Sequence, residues 1–171
     1  MEGLTRAPEA MALATAAGDG RPSVRMVLLK QADEDGLVFF SHYPSRKGRE
    51  LEENPQAALL FHWDALGRQV RVEGPVARVS EAESDAYFAT RPLGARLSAV
   101  ASPQSRPVES REWLEAQVAD VKGEPDRPPW WGGFRLVPDA WEFWQHRDNR
   151  LHDRFRYRRE GPTWIVERLG P

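Results

Sequence analysis

Short apolar runs separated by turn-forming positions fill the first half of the chain. The runs MALATAA, SVRMVLLK and LVFFS are divided by GDG and ADEDG, in which glycine and aspartate tolerate turn geometry. The runs QAALLFHW and RQVRVEGPVARVS continue the series, and in the second Val70 and Val72 alternate with Gln69, Arg71 and Glu73. The pattern predicts a meander of β-strands.

Three more polar segments carry helix signals. In SRKGRELEEN, Ser45 is placed as an N-cap and Asn-Pro ends the segment. In SEAESDAYFATRP, Ser80 and Glu83 have the spacing of a capping box, and the helix should end before Pro92. ESREWLEAQVADVK has the apolar stripe of an amphipathic helix.

The last third of the chain returns to strand-like patterns. After EPDRPPWWGG come FRLVP, AWEFWQ, DRFRYRR and TWIVERL. No regular alternation of strand and helix appears, so a parallel nucleotide-binding sheet is disfavoured. We therefore predict a single domain that is mainly β with helices (α+β), built as a β-barrel with helical decoration.

Composition narrows the function classes. The chain has 171 residues, no cysteine and a net charge of −2, so disulfides and thiol chemistry are excluded and a nucleic-acid partner is not expected. No apolar run approaches the ~18 residues of a membrane span, and the N-terminus lacks the features of a secretory leader. We expect a cytoplasmic protein. Motifs for P-loop, Rossmann, HExxH metal and GxSxG sites are absent, so we predict no metal site.

Cations embedded in the predicted strands and helix starts are the remaining chemical signal. Arg25 and Lys30 bracket MVLL, and strict alternation would place them on opposite faces, where they could simply extend into solvent. Arg46 and Lys47 lie in the first turn predicted after Ser45, where backbone donors could seat a phosphate. A solvated turn is the alternative, but cations oppose the helix dipole there, which favours a bound anion.

The stretch WQHRDNRLHDRFRYRR concentrates basic and aromatic residues near the C-terminus. In an extended chain Arg150, His152 and Arg154 would share one face at about 7 Å intervals. They would then form either an anion-binding surface or a charged edge strand that resists aggregation. The spacing does not decide between these two.

Several motifs together resemble one family. RMVLLK, SRKG, GRQVRVEGPVARVS, YFATRP, ASPQS, WWGGFRLVP and EFWQ followed by NRLHDRFRY resemble the pyridoxamine 5'-phosphate oxidases, in the same order along nearly the whole chain. The resemblance implies a Greek-key, FMN-binding split β-barrel over 1–171, with 130–171 completing the barrel and the substrate site. It also implies a homodimer with FMN at the interface. The implied reaction oxidises pyridoxamine or pyridoxine 5'-phosphate to pyridoxal 5'-phosphate with O2, releasing H2O2.

The resemblance also implies roles for individual residues. Arg150 and His152 are the implied catalytic pair and contact the substrate, whose phosphate is held by Lys30, Tyr87 and Arg91. The implied flavin-binding residues are Arg25, Met26, Val27, Leu28, Leu29, Lys30, Phe40, Ser41, Arg46, Lys47, Gln69, Gln104, Ser105, Trp144 and Arg154.

The chain departs from the family pattern at a few positions. Ala95 stands where the family commonly has a phosphate-binding serine. Ser98 and His146 stand where the family usually has glycines, and the pair Phe40-Ser41 replaces a Tyr-Thr pair. The chain also begins close to its first strand, where the family has a helical segment, which would weaken substrate enclosure. Two alternatives therefore stay open: a related flavin oxidase acting on another substrate, such as a phenazine precursor, and a non-catalytic FMN- or pyridoxal-phosphate-binding protein.

Overall fold

Strands dominate the computed structural model, which describes residues 7–171; residues 1–6 of the predicted domain lie outside it. The strands are β1 Ala10–Ala16, β2 Pro22–Leu28, β3 Gln31–Asp33, β4 Gly36–His42, β5 Gln56–Trp63, β6 Arg68–Arg78, β7 Trp131–Leu136, β8 Ala140–Gln145, β9 Asp153–Glu160 and β10 Thr163–Arg168. The helices are α1 Arg46–Glu53, α2 Glu81–Thr90, α3 Leu93–Ala101 and α4 Arg111–Asp120, and 3-10 turns lie at Asp64–Leu66 and Asp148–Arg150.

The long strand β6 joins two antiparallel ladders into a barrel. One ladder runs β10-β9-β8-β6-β5-β1-β2, and the other runs β3-β4-β7-β6, with β7 pairing to the end of β6 at Val76–Arg78. The ring is left open between β2 and β4, where the Lys30 amide donates to the Val38 carbonyl at 2.8 Å just past the end of β2. The prediction of a mainly β split barrel with helices is confirmed.

The core fills the barrel because the strands alternate as their sequences predict. In β1, Met11 and Leu13 are fully buried, whereas the alternate positions on the other face are alanines. Phe39, Leu59 and Val72 are also fully buried and belong to the same cluster. Each large side chain buried in this way stabilises the fold by about 1.5–3 kcal/mol.

Both predicted N-caps are confirmed. The fully buried Ser45 accepts from the Gly48 amide at 3.4 Å and starts α1. Ser80 and Glu83 form a reciprocal capping box, and α2 ends at Thr90, before Pro92. No helix within residues 7–171 is long and apolar enough to cross a membrane.

Two elements were missing from the sequence prediction. Helix α3 begins after Pro92, which offers no side-chain cap, and only Ala99 is buried along it. Strand β3 falls in the segment that we interpreted as a turn, and its three residues, all exposed, are held by pairing with β4. Both depend on tertiary contacts rather than on a local signal.

Candidate active site

A cleft of about 890 Å³ opens at the seam between β2 and β4. Helices α1, α2 and α3, the segment after α3 and the first residue of β7 supply the rest of its wall. Most of the predicted flavin and phosphate residues line it: Arg25, Met26, Val27, Leu28, Lys30, Phe40, Ser41, Arg46, Lys47, Tyr87, Arg91, Gln104 and Ser105. Leu29, by contrast, packs against the core cluster.

Arg25 and Lys30 border the same cleft. Strand β2 ends at Leu28, so the alternation that would separate the two side chains does not continue to Lys30. The prediction that they lie on opposite faces is therefore wrong. Arg25 is directly opposite the buried Leu13 in the β1–β2 ladder, so its side chain leaves the sheet on the barrel side.

A buried carboxylate organises the arginines at one end of the cleft. Glu50 is 5% exposed and accepts from Arg46 Nε at 2.8 Å and from Arg25 Nη2 at 3.1 Å. It also accepts from the hydroxyls of Thr15 and Ser23, each at 2.5 Å. Burial alone would raise the pKa of Glu50, but hydrogen bonds from these four residues lower it to about 2. Glu50 is therefore ionised throughout the physiological range.

Lys47 is the buried cation of the cleft. Its ammonium donates to Ser41 Oγ and Gln104 Oε1, both at 2.9 Å. No carboxylate of residues 7–171 lies within ion-pair distance of it. Burial, and secondarily the charge of Arg25, lowers the pKa of Lys47 to about 8. A buried ammonium with only neutral partners is stabilised by an anion that enters the cleft.

Another part of the cleft wall is aromatic and carries a second cation. Phe40 stacks on Tyr87 with ring centroids 3.9 Å apart, and the Arg91 guanidinium lies 4.6 Å from the Trp131 ring centroid. Arg91 Nη1 is buried without a hydrogen-bond partner among the described residues. Burial lowers the pKa of Arg91. This wall therefore offers an unused donor to a planar or phosphorylated ligand.

His42 also lines the cleft and was not among the predicted site residues. It is the last residue of β4, and its Nε2 lies 2.7 Å from the Ala99 carbonyl of α3. Burial lowers the pKa of His42, which favours the neutral ring. The sequence feature that could have revealed it is its place directly after Phe40 and Ser41, two predicted flavin-binding residues.

Three other predicted flavin residues form one row across the sheet. Gln69 is paired with Trp144, and Trp144 with Arg154, so their side chains share a face of β6, β8 and β9. Arg154 Nε donates to the buried Glu142 at 2.8 Å, and this hydrogen bond raises the pKa of Arg154. The row is thus fixed by strand register and by one ion pair.

Arg150 and His152 lie in a turn rather than in an extended strand. Asn149 and Arg150 have left-handed backbones with φ of 55° and 62°, and β9 begins only at Asp153. The predicted extended face of Arg150, His152 and Arg154 is therefore wrong.

The His152 ring sits against Trp144, with centroids 4.6 Å apart. Its Nδ1 lies 3.1 Å from the Arg147 amide, so Nδ1 accepts and the ring proton resides on Nε2. The His146 ring centroid is 5.2 Å away. His152 can therefore donate from Nε2 to a ligand.

The cleft and this C-terminal group are distinct regions of one chain. None of Gln69, Trp144, Arg150, His152 or Arg154 lines the cleft. Strands β1, β5 and β6 separate β2 from β8, a span of about 19 Å along the sheet. The structure thus brings the predicted site residues together as two groups.

The departures from the family pattern fall in both regions. Ala95 and Ser98 line the cleft, and the Ser98 hydroxyl donates to the Gly94 carbonyl at 2.8 Å within α3. His146 belongs to the C-terminal group. Since Ala95 has no hydroxyl, this position cannot donate to a phosphate.

Comparison with known families accounts for nearly the whole chain. Residues 1–124 match the model described as pyridoxamine 5'-phosphate oxidase. Residues 131–171 match the model described as the pyridoxine 5'-phosphate oxidase C-terminal dimerisation region. The second match includes β7 to β10 and hence Trp144, Arg150, His152 and Arg154.

Similar proteins carry the same name. The pyridoxine/pyridoxamine 5'-phosphate oxidase of Rubrobacter xylanophilus is 60% identical over 169 residues, which covers 96% of this chain and 78% of that protein. The protein of that name from Cupriavidus taiwanensis is 57% identical, with 96% and 80% covered.

Solved structures agree with the fold. PhzG from Burkholderia lata, in complex with tetrahydrophenazine-1-carboxylic acid, has a TM-score of 0.91 and 38% identity over 96% of this chain and 83% of that one. An FMN-binding, pyridoxamine 5'-phosphate oxidase-related protein from Nostoc punctiforme shares the fold, with a TM-score of 0.82 at 21% identity over 96% of this chain and 89% of that one. The chain therefore belongs to the pyridoxamine 5'-phosphate oxidase family of oxidoreductases.

Proposed function

We propose that this protein uses FMN to oxidise pyridoxamine 5'-phosphate or pyridoxine 5'-phosphate to pyridoxal 5'-phosphate. The single observation that carries the proposal is a pair of cations, the buried Lys47 and the half-buried Arg91, which line one cleft without a carboxylate partner among the described residues. Two phosphorylated ligands, one flavin and one substrate, would supply the two missing anions.

The cleft fits FMN in size and charge. Its volume of about 890 Å³ lies in the usual range for cofactor and ligand sites. Arg25, Arg46 and Lys47 gather at one end, which suits a phosphate that carries close to two negative charges. Ser41, Gln104 and Ser105 add neutral polar groups along the wall. These residues would hold the cofactor.

The substrate phosphate would be bound by two other cations of the cleft and by a tyrosine. Lys30, Tyr87 and Arg91 line it, and the free Nη1 of Arg91 is the donor available to a phosphate oxygen. A charge-assisted hydrogen bond contributes about 1.5–3 kcal/mol, so three would supply most of the ~8 kcal/mol of micromolar binding. Arg150 and His152 would orient the pyridine ring, with His152 donating from Nε2.

The overall reaction balances with water and O2. Pyridoxine 5'-phosphate loses two electrons and two protons at its alcohol carbon, and O2 becomes H2O2. Pyridoxamine 5'-phosphate is oxidised at its amine carbon, and water then replaces nitrogen, which leaves as ammonia. When bound, FMN supplies the acceptor for the hydride and passes the electrons to O2. The residues of this chain bind and orient the substrate.

We further propose that each site is completed by a second copy of the chain. Val24, Met26 and Leu28 are 68%, 64% and 41% exposed on one face of β2. Ala12 and Ala14 continue that face on β1, and register places Gln69, Trp144 and Arg154 on the same side of the sheet. Self-association through this face would bury the apolar row and carry the C-terminal group to the partner's cleft. The match to a dimerisation region supports this arrangement.

The test is a spectroscopic titration of the purified full chain. We expect it to bind FMN, turn yellow and bleach when pyridoxamine 5'-phosphate is added without oxygen. Readmitted O2 should restore the colour and yield one H2O2 for each pyridoxal 5'-phosphate. A protein that ignores added FMN would refute the proposal. Flavin that binds but never bleaches would instead indicate a non-catalytic binding protein.

A second candidate, oxidation of a phenazine precursor, is favoured by two observations. The structure of PhzG, which holds a tetrahydrophenazine carboxylic acid, superimposes with a TM-score of 0.91. Ala95 also removes a hydroxyl from the cleft. A dihydro- or tetrahydrophenazine carboxylic acid should therefore be tested beside the vitamin B6 phosphates. Faster bleaching by the phenazine would assign this second function.

A further inference from the structure

We infer that Glu50 is a positioning residue that orients Arg25 and Arg46 for the flavin phosphate. The inference rests on the proposed function, because it takes the Arg25–Arg46–Lys47 end of the cleft as the phosphate site. Glu50 does not line the cleft itself. It lies behind the two arginines, on the side of α1 that packs under β1 and β2.

The two carboxylate oxygens have separate partners. Oε1 accepts from Arg46 Nε, which leaves both terminal nitrogens of that guanidinium for a ligand. Oε2 accepts from Arg25 Nη2 and from the hydroxyls of Thr15 and Ser23. Arg25 also donates to Thr15 and Ser23. One carboxylate therefore sets the orientation of two guanidinium groups on two elements.

Burial makes this network specific to a carboxylate. Glu50 is 5% exposed, and Arg25 is half-buried beside it. A glutamine in its place would have one acceptor oxygen, and its amide NH2 would face an arginine donor. One of the two arginines would then lose its partner and its fixed orientation.

Glu50 also acts on Lys47 through charge. The charge of Glu50 raises the pKa of Lys47, against the larger lowering by burial and the lowering by Arg25. The charged and titratable groups around Lys47 are Arg25 on β2, His42 on β4, Glu50 on α1 and, beyond His42, Arg91 directly after α2. Removing the carboxylate would thus lower the pKa of Lys47 further, so Lys47 would lose its proton at a lower pH.

Two mechanisms predict opposite signs for the same variant. If Glu50 only cancelled charge, Glu50→Gln would tighten FMN, since an anion is removed beside the phosphate. If Glu50 orients the arginines, Glu50→Gln weakens FMN by about tenfold, the loss of one charge-assisted hydrogen bond. The measurement is FMN fluorescence quenching by flavin-free full-length dimer, titrated between pH 6.5 and 9.5.

The pH profile distinguishes positioning from a general loss of structure. As pH rises, Lys47 loses its proton and FMN affinity should fall. The midpoint of this fall should lie near the pKa of about 8 that Lys47 has in the flavin-free protein. In Glu50→Gln that midpoint should move to lower pH. The matched control is Glu52→Gln on the same helix. The exposed carboxylate of Glu52 forms an ion pair with Arg78 at a distance of 2.7 Å, and neither residue lines the cleft. The control variant should leave both the affinity and the midpoint unchanged.

A second variant decides the matter if Glu50→Gln does not fold. Arg46→Lys keeps the charge on an exposed side chain, but a single ammonium cannot both pair with Glu50 and present a planar fork to phosphate. We expect it to weaken FMN by about tenfold. FMN binding that is unchanged or tighter in Glu50→Gln would overturn the inference. If Glu50→Gln does not fold, the same result in Arg46→Lys would overturn it. Failure of the wild-type protein to bind FMN would refute the proposed function instead.

Discussion

At the scale of single residues, the backbone of Arg150 is the feature that most needs explanation. Arg150 and Asn149 both lie in the left-handed region, where a non-glycine residue costs about 1 kcal/mol or more. Two consecutive residues of this kind persist only when their surroundings fix them. Arg150 lies in the turn that leads to His152, and the His152 ring is held by contact with Trp144 and by the Arg147 amide.

We expect Arg150→Ala to leave FMN bound while turnover falls. Arg150 is assigned to the substrate, so the loss of one charge-assisted hydrogen bond should reduce kcat/KM by about 10- to 100-fold. H2O2 release at saturating FMN measures this. Arg159→Ala, an exposed arginine near the end of β9, is the control and should keep full activity. Loss of flavin with normal turnover in the loaded fraction would contradict the assigned role.

Some residue-level features could be predicted from sequence because they are local. The caps at Ser45 and Ser80 depend on contacts within three positions along the chain. Lys47 shows the opposite case. Its ammonium donates to Gln104, which is 57 positions away, and no short pattern reveals such a contact. The turn at Arg150 was missed because no glycine marks its left-handed backbone.

At the scale of elements, the docking of α1 determines the phosphate end of the cleft. A Cβ on Gly48 would lie 2.0 Å from the Tyr43 carbonyl oxygen, so only glycine allows the helix to approach this closely. The same helix carries Arg46, Lys47 and Glu50. The sequence predicted the helix from its N-cap and from the Asn-Pro pair that ends it, but the contact of the helix with β1 and β2 through Glu50 is a tertiary feature.

We therefore expect Gly48→Ala to destabilise the fold and weaken FMN binding. The clash is with backbone, so the free energy of unfolding should fall by about 1–3 kcal/mol or more. Gly94→Ala is the matched control, because no atom lies within 4 Å of its added Cβ in α3, and it should stabilise by up to about 1 kcal/mol. Urea unfolding followed by tryptophan fluorescence checks both variants. Equal unfolding midpoints for the two would show that α1 can shift freely.

At the scale of the whole molecule, the sequence predicted every described strand except β3, but not how the strands pair. The row of Gln69, Trp144 and Arg154 exists because β6 pairs with β8 and β8 with β9. The first two of these residues are 75 positions apart in the chain. Family resemblance named all three as flavin residues without placing them on one face. That shared face, together with the exposed apolar row on β2, is what relates the two groups of site residues to a dimer.

Subunit mixing tests whether each site is shared between two copies. Arg91→Met impairs the cleft, and Arg150→Ala impairs the C-terminal group, so both homodimers should keep at most about a tenth of wild-type activity. When subunits exchange at random, half of the dimers contain one copy of each variant. One of the two sites in each mixed dimer is intact, so about a quarter of wild-type activity should return. Two cleft variants mixed together, Arg91→Met and Lys30→Met, should recover nothing, because every site keeps a defect. If both groups instead served a site within one protomer, the first mixture would also stay inactive, and the C-terminal group would have to reach the cleft of its own chain.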